Sequence, residues 1–156
     1  MIRCATIDDV PAIAGMIREL AEYEHLAHEV MLDEKLLRDH LFGERPYAEV
    51  LVAEAACEIV GFVLFYHNYS TFLGRPGIYL EDLFVRPAFR KQGHGKALLK
   101  QVAKLAIERG CGRLEWSVLD WNTPSIDFYL SLGAKAMDQW TIYRVTGEEL
   151  KKLAAQ

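Results

Sequence analysis

Between residues 90 and 95 the chain reads Arg90-Lys91-Gln92-Gly93-His94-Gly95, and a helix-forming run begins at Gly95. A glycine-rich turn at the head of a helix gathers backbone N–H groups and the positive end of the helix dipole on one spot, which suits an anion. A phosphate-bearing ligand is implied. Spacing excludes two common uses of such a turn. The dinucleotide fingerprint needs a third glycine where Leu98 stands, and a nucleotide phosphate loop needs Ser or Thr after Gly-Lys, where Ala97 stands.

A second group of reactive side chains lies just upstream. Glu81 and Asp82 interrupt an otherwise apolar run, where an unpaired buried charge is costly. Strand alternation sends them to opposite faces, so the expectation is that they do not share a proton. Either one could instead pair with a buried arginine, the reading preferred for Asp82. Tyr129 offers a phenol, with ordinary packing beside Ile126 and Leu130 as its alternative, and Asn122 before Thr123-Pro124 has the spacing of a cap or turn residue.

Other chemistries find little support. The five histidines form no ligand cluster, and Cys4, Cys57 and Cys111 are odd in number and widely spaced, so no metal is expected and the thiols read as reduced, in a cytoplasmic protein. The formal charge of -4 comes from interspersed acids and bases. Nucleic-acid binding leans on clustered Lys and Arg, so nucleic acid is not expected as a partner. No run approaches the roughly 20 apolar residues of a membrane span, and neither a membrane nor a targeting segment is expected.

These residues need a scaffold, and 156 residues, half of them hydrophobic, suffice for one domain over 1–156. A short strand is expected over 1–5, then a helix capped by Thr6 or Asp8 with Val10, Ile13, Ile17 and Leu20 on one face and Pro11 in its first turn. Asp33 caps a second helix through Leu41. Residues 47–55, 58–69 and 77–85 read as an antiparallel meander, with 70–76 as its longer polar loop. Residues 95–109 form a helix with Ala97, Leu98, Val102, Leu105 and Ala106 as its buried stripe, ended by Gly110. A buried strand over 114–119, a helix capped by Thr123 and closed by Gly133, a last strand over 139–145 and a short terminal helix complete an α/β (α+β) pattern without repeats or linkers.

The spacing Arg-x-x-Gly-x-Gly before a helix, in this order of elements, resembles the pyrophosphate motif of the GNAT superfamily of N-acetyltransferases. Leu20-Ala21-Glu22-Tyr23-Glu24, residues 79–85 (Tyr-Leu-Glu-Asp-Leu-Phe-Val) and Leu119-Asp120-Trp121-Asn122 look like its diamine acetyltransferase family, which holds the spermidine/spermine and thialysine N-acetyltransferases. The resemblance implies a central mixed, mainly antiparallel sheet flanked by helices, with acetyl-CoA as cosubstrate. It implies that the cofactor is held by Arg90, Lys91, Gln92, Gly93, His94, Gly95 and Lys96, by the backbone of Leu83, Phe84 and Val85 as an added strand, and by Asn122, Ser125 and Tyr129.

For the chemistry, the resemblance makes Glu81 the group that faces the substrate and relays the ammonium proton through water, and Tyr129 the acid for the departing thiolate. A phenol near ~10 and a thiol near ~8.5 are close enough for that transfer. Tyr23, Glu24 and Glu81 would line the acceptor pocket with Glu115, Trp116 and Ser117 near it, in a homodimer with acceptor pockets near its interface. Polyamine-specific members carry an acid in the loop before the catalytic strand, whereas this chain reads Tyr69-Ser70-Thr71-Phe72, as in the thialysine branch. A shorter, lysine-like amine is favoured over spermidine. Protein lysine or N-terminal acetylation and a non-catalytic CoA-binding module remain the alternatives.

Overall fold

The computed structural model describes all 156 residues and divides them into two compact units, Met1–Ser117 and Val118–Gln156. The first unit is built on a five-stranded sheet in the order β1 to β5, with β1 Ile2–Cys4, β2 Glu49–Ala55, β3 Glu58–Ser70, β4 Arg75–Val85 and β5 Leu114–Trp116. Successive strands pair antiparallel except β4 and β5, which run parallel. The sheet is therefore mixed and mainly antiparallel, as expected.

Helices cover both faces. Helix α1, Val10–Tyr23, and α2, Glu34–Phe42, bury Val10, Ile13, Leu20, Leu37 and Leu41 against Val50, Val52, Phe62 and Phe84. Pro11 does sit in the first turn of α1, where its missing N–H is harmless. Asp33 Oδ1 accepts from the N–H groups of Lys35 (2.8 Å) and Leu36 (3.0 Å), capping α2. Helix α3, His94–Glu108, packs against β2, β3 and β4 through Leu98, Leu99, Val102 and Ala106, and Gly110 ends it at φ 68°. Ala97 and Leu105 are only half-buried, and Leu99 takes their place in the stripe.

The β3–β4 hairpin is tighter than expected. Ser70 pairs with Arg75, so both strands run into the segment read as a polar loop and only residues 71–74 form the tip. Ser70 is buried and its hydroxyl accepts from Leu73 N–H, while Gly74 turns the chain at φ 63°. The strand expected over 114–119 shortens to three half-buried residues, because β4 pairs with it only from Ile78 to Leu80.

The second unit contains α4, Thr123–Ser131, and α5, Gly147–Ala154. Asn122 rather than Thr123 caps α4, its Oδ1 accepting from Ser125 N–H at 3.4 Å. Residues 139–145 are not a strand. Their alternating apolar pattern suits one, but a strand needs a neighbour to take its backbone bonds, and this unit contains none. Trp140, Ile142 and Tyr143 are consequently 76%, 72% and 91% exposed.

Candidate active site

The site begins with an irregularity in β4. On β3, Leu64 pairs with Asp82 and the next residue, Phe65, pairs with Leu80, so Glu81 is an extra residue in its strand. Such a bulge breaks the two-residue alternation and re-aims side chains. Glu81 Oε2 accepts from the hydroxyl of Tyr66 at 3.2 Å, and Tyr66 stacks on Tyr79 at 5.5 Å. Asp82 lies opposite Leu64, which shares the parity of Tyr66. The two acids thus work on one face, contrary to the expectation from alternation.

Asp82 has no arginine partner, which corrects the structural reading of it. Burial, then the charges of Glu81 and Glu24, push its carboxyl up from 3.8 to about 7. Burial also raises Glu24, at the C-cap of α1. Burial, helped by Glu81, pushes the Tyr66 phenol up to about 12. A buried Asp82 carboxyl under the charges of Glu81 and Glu24, on the face of the stacked tyrosines, favours a cation that enters and relieves that repulsion.

Further along the same face, Tyr79 OH and Ser117 Oγ are 2.5 Å apart, Asn68 donates to Glu115 Oε1 at 3.2 Å, and Arg113 Nε meets that oxygen at 2.8 Å. Glu115 and Ser117 therefore share the face of Tyr66 and Tyr79. Trp116 pairs with Leu80, which together with Phe65 belongs to the opposite side, so Trp116 is not brought into this group. Tyr66, Asn68, Tyr79 and Arg113 were missed in the sequence. The parity of Leu64, Tyr66 and Asn68 on one strand was the signal available.

The residues expected to hold the cofactor split into a strand edge and a turn. β5 stops opposite Leu80 while β4 continues to Val85, so Glu81 to Val85 have a sheet neighbour only on the β3 side. This splay leaves an edge where an extended amide chain can add. In the turn, Gly93 caps α3 at φ 85° and Lys91 also lies at positive φ, 60°. The first intrahelical bond is Ala97 N–H to Gly93 C=O, leaving the N–H groups of His94, Gly95 and Lys96 for an outside acceptor. A Cβ on Gly95 would meet only Val85 at 3.8 Å, so the approach is open. This donor set fits a pyrophosphate.

Arg90 behaves differently from the rest of the turn. Its Nε donates to Val85 C=O at 2.8 Å, and its guanidinium lies over the rings of Tyr23 (4.7 Å) and Phe84 (5.5 Å). It ties the end of α1 to β4. At α4, the cap Asn122 and the helical residues Ser125 and Tyr129 follow i, i+3, i+7 spacing, with Asn122 buried and Tyr129 half-buried beside Phe128.

Fold and site define an acyl-transferring enzyme, and the sequence profile of the Acetyltransferase (GNAT) family matches residues 13–134: the chain belongs to that family. Among its relatives, the thialysine N-epsilon-acetyltransferase of Bos taurus is 42% identical over 167 residues, covering 100% of this chain and 98% of the relative. The L-ornithine N5-acetyltransferase of Arabidopsis thaliana is 34% identical, covering 97% and 86%. An integron cassette protein from the mobile metagenome of V. cholerae has the same fold, with a TM-score of 0.83, 28% identity and coverage of 100% and 98%.

Proposed function

We propose that this acetyltransferase moves an acetyl group from acetyl-CoA to the side-chain amine of a small, lysine-like molecule. The observation that carries the reading is the acceptor face, with Glu24, Glu81 and Asp82 around stacked Tyr66 and Tyr79. The relatives named for thialysine and L-ornithine support a compact amine.

Acetyl-CoA supplies the activated thioester. The N–H groups of residues 93–96 hold its pyrophosphate, with Lys91, Gln92, His94 and Lys96 around them, and the edge of Leu83, Phe84 and Val85 takes its amide arm. Asn122, Ser125 and Tyr129 bind the same arm at α4. An alkylammonium near ~10.4 must lose a proton before attack, and a carboxyl held near neutrality accepts it more effectively than one near 4. Glu81 faces the substrate and passes the proton through water, and Asp82, pushed up to about 7, provides the matched acceptor behind it. Tyr129 protonates the leaving thiolate.

The family profile runs from the first compact unit into the second, ending at residue 134, which supports one acetyltransferase domain over 1–156. A homodimer belongs to the same reading, supported by the exposed apolar side chains of 139–145. So does a cytoplasmic location, supported by three free thiols. Screening thialysine, lysine, putrescine and spermidine with acetyl-CoA tests the reading. Turnover that favours the lysine-like amines is expected, and no turnover with any primary amine would overturn it.

A further inference from the structure

A charged pair stands beside the acceptor face, away from the acids that receive the reacting amine. Arg113 and Glu115 meet at 2.8 Å, both partly exposed, and Asn68 donates to the same Glu115 oxygen at 3.2 Å. The stem of Arg113 lies across Gly77, and Asn68 lies there too, so a Cβ at this position would displace the Asn68 amide. Glu115 is in register with Tyr79, so the pair sits beside one of the two stacked rings.

Register fixes how far this pair stands from the reacting end. Tyr79 precedes Glu81 by two residues along β4, and β5 is the next strand over. With a rise of about 3.4 Å per residue and a strand spacing of about 4.8 Å, the backbones at Glu115 and Glu81 are about 8 Å apart. A four-atom aliphatic stem laid across the Tyr66–Tyr79 stack joins these two places.

The charge balance selects what sits at the far end. Arg113 already neutralises Glu115, so a second bare ammonium meets no net negative charge there and a nearby cation opposes it. A zwitterionic head group matches both partners. Its carboxylate takes the guanidinium fork, of which Glu115 engages the Nε edge, and its ammonium takes Glu115 and is flanked by Ser117. We infer that Arg113 and Glu115 form a head-group subsite that reads the α-amino-acid end of the acceptor and so sets its class as a free diamino acid rather than a diamine or polyamine. This inference rests on the small-amine acetyltransferase reading above.

L-Lysine and cadaverine test it, because they differ by a single carboxylate. With acetyl-CoA, the native enzyme should show a kcat/KM for lysine at least tenfold above that for cadaverine. Arg113→Gln should bring the ratio close to one, mainly through the KM for lysine, and Arg113→Lys should restore part of it. A ratio near or below one in the native enzyme, or a ratio that Arg113→Gln leaves intact, overturns the subsite while leaving amine acetylation standing. A lack of turnover with both compounds and with every amine of the wider screen removes the underlying reading and the subsite together.

Discussion

The guanidinium of Arg90 lies 4.7 Å above the ring of Tyr23 while its Nε holds the carbonyl of Val85, so one side chain joins the end of α1 to the end of β4. Cation–π contacts of this kind contribute about 0.5–2 kcal/mol, and lysine cannot keep the stacked plane and the Nε bond together. Arg90→Lys should lower stability by about 1 kcal/mol and raise the KM for the amine as well as for acetyl-CoA. Thermal denaturation with two-substrate kinetics checks this. A rise in the acetyl-CoA KM alone would make Arg90 a plain phosphate ligand.

Asp82 gives the protein a pH signature. Its carboxyl rises from 3.8 to about 7 on folding, so between these values the unfolded chain has released a proton that the folded chain retains. The contribution of Asp82 to stability is therefore fully present below about pH 4, declines as pH rises, and is lost above about pH 7. Asp82→Asn should stabilise the fold at pH 8 by on the order of 2 kcal/mol and leave it unchanged at pH 4. In the native enzyme kcat should rise through about pH 7, and the variant should lose that limb, as pH–rate profiles will show.

Glu81 accepts a hydrogen bond from Tyr66 and is otherwise exposed, so little of the fold depends on its charge. Glu81→Gln should cut kcat by about 10²–10⁴-fold with little change in acetyl-CoA affinity. Tyr129→Phe should cost a comparable factor. Calorimetric titration of acetyl-CoA alongside steady-state rates separates the two quantities, and equal losses in both would make Glu81 structural.

Gly93 caps α3 at φ 85°, a conformation that costs an L-residue about 1–2 kcal/mol, although space for a Cβ is open. Gly93→Ala should weaken acetyl-CoA binding about tenfold and leave the KM for the amine nearly unchanged. Direct titration with CoA reads the first and initial rates at saturating acetyl-CoA read the second.

The β2–β3 hairpin places Ala56 and Cys57 at φ 49° and 62°. Two successive positive φ angles define the tight turn in which Asn-Gly is preferred. Ala56→Asn with Cys57→Gly should raise stability by about 1 kcal/mol without altering kcat, measured by thermal melting.

Much of the scaffold was legible along the chain because its signals are local. Asp33, Pro11 and Gly110 punctuate helices through backbone chemistry within one turn, and Val10, Ile13 and Leu20 mark a buried face by spacing alone. The glycine turn likewise carries its donors in consecutive residues, so the open N–H groups at the head of α3, and the family to which the chain belongs, could be read along the chain alone. Pairing is different, since it depends on residues distant in the chain. Only the tertiary structure showed that one extra residue in β4 turns Glu81 and Asp82 to a common face, that Asp82 lacks a counter-charge, that residues 139–145 form no strand, and that Asn68, Arg113 and Glu115 meet beside Tyr79. A bulge reverses side-chain parity without any mark in local composition. For that reason the glycine turn and its donors were readable from sequence, and the face that gathers Glu81, Asp82, Tyr66 and Tyr79 was not.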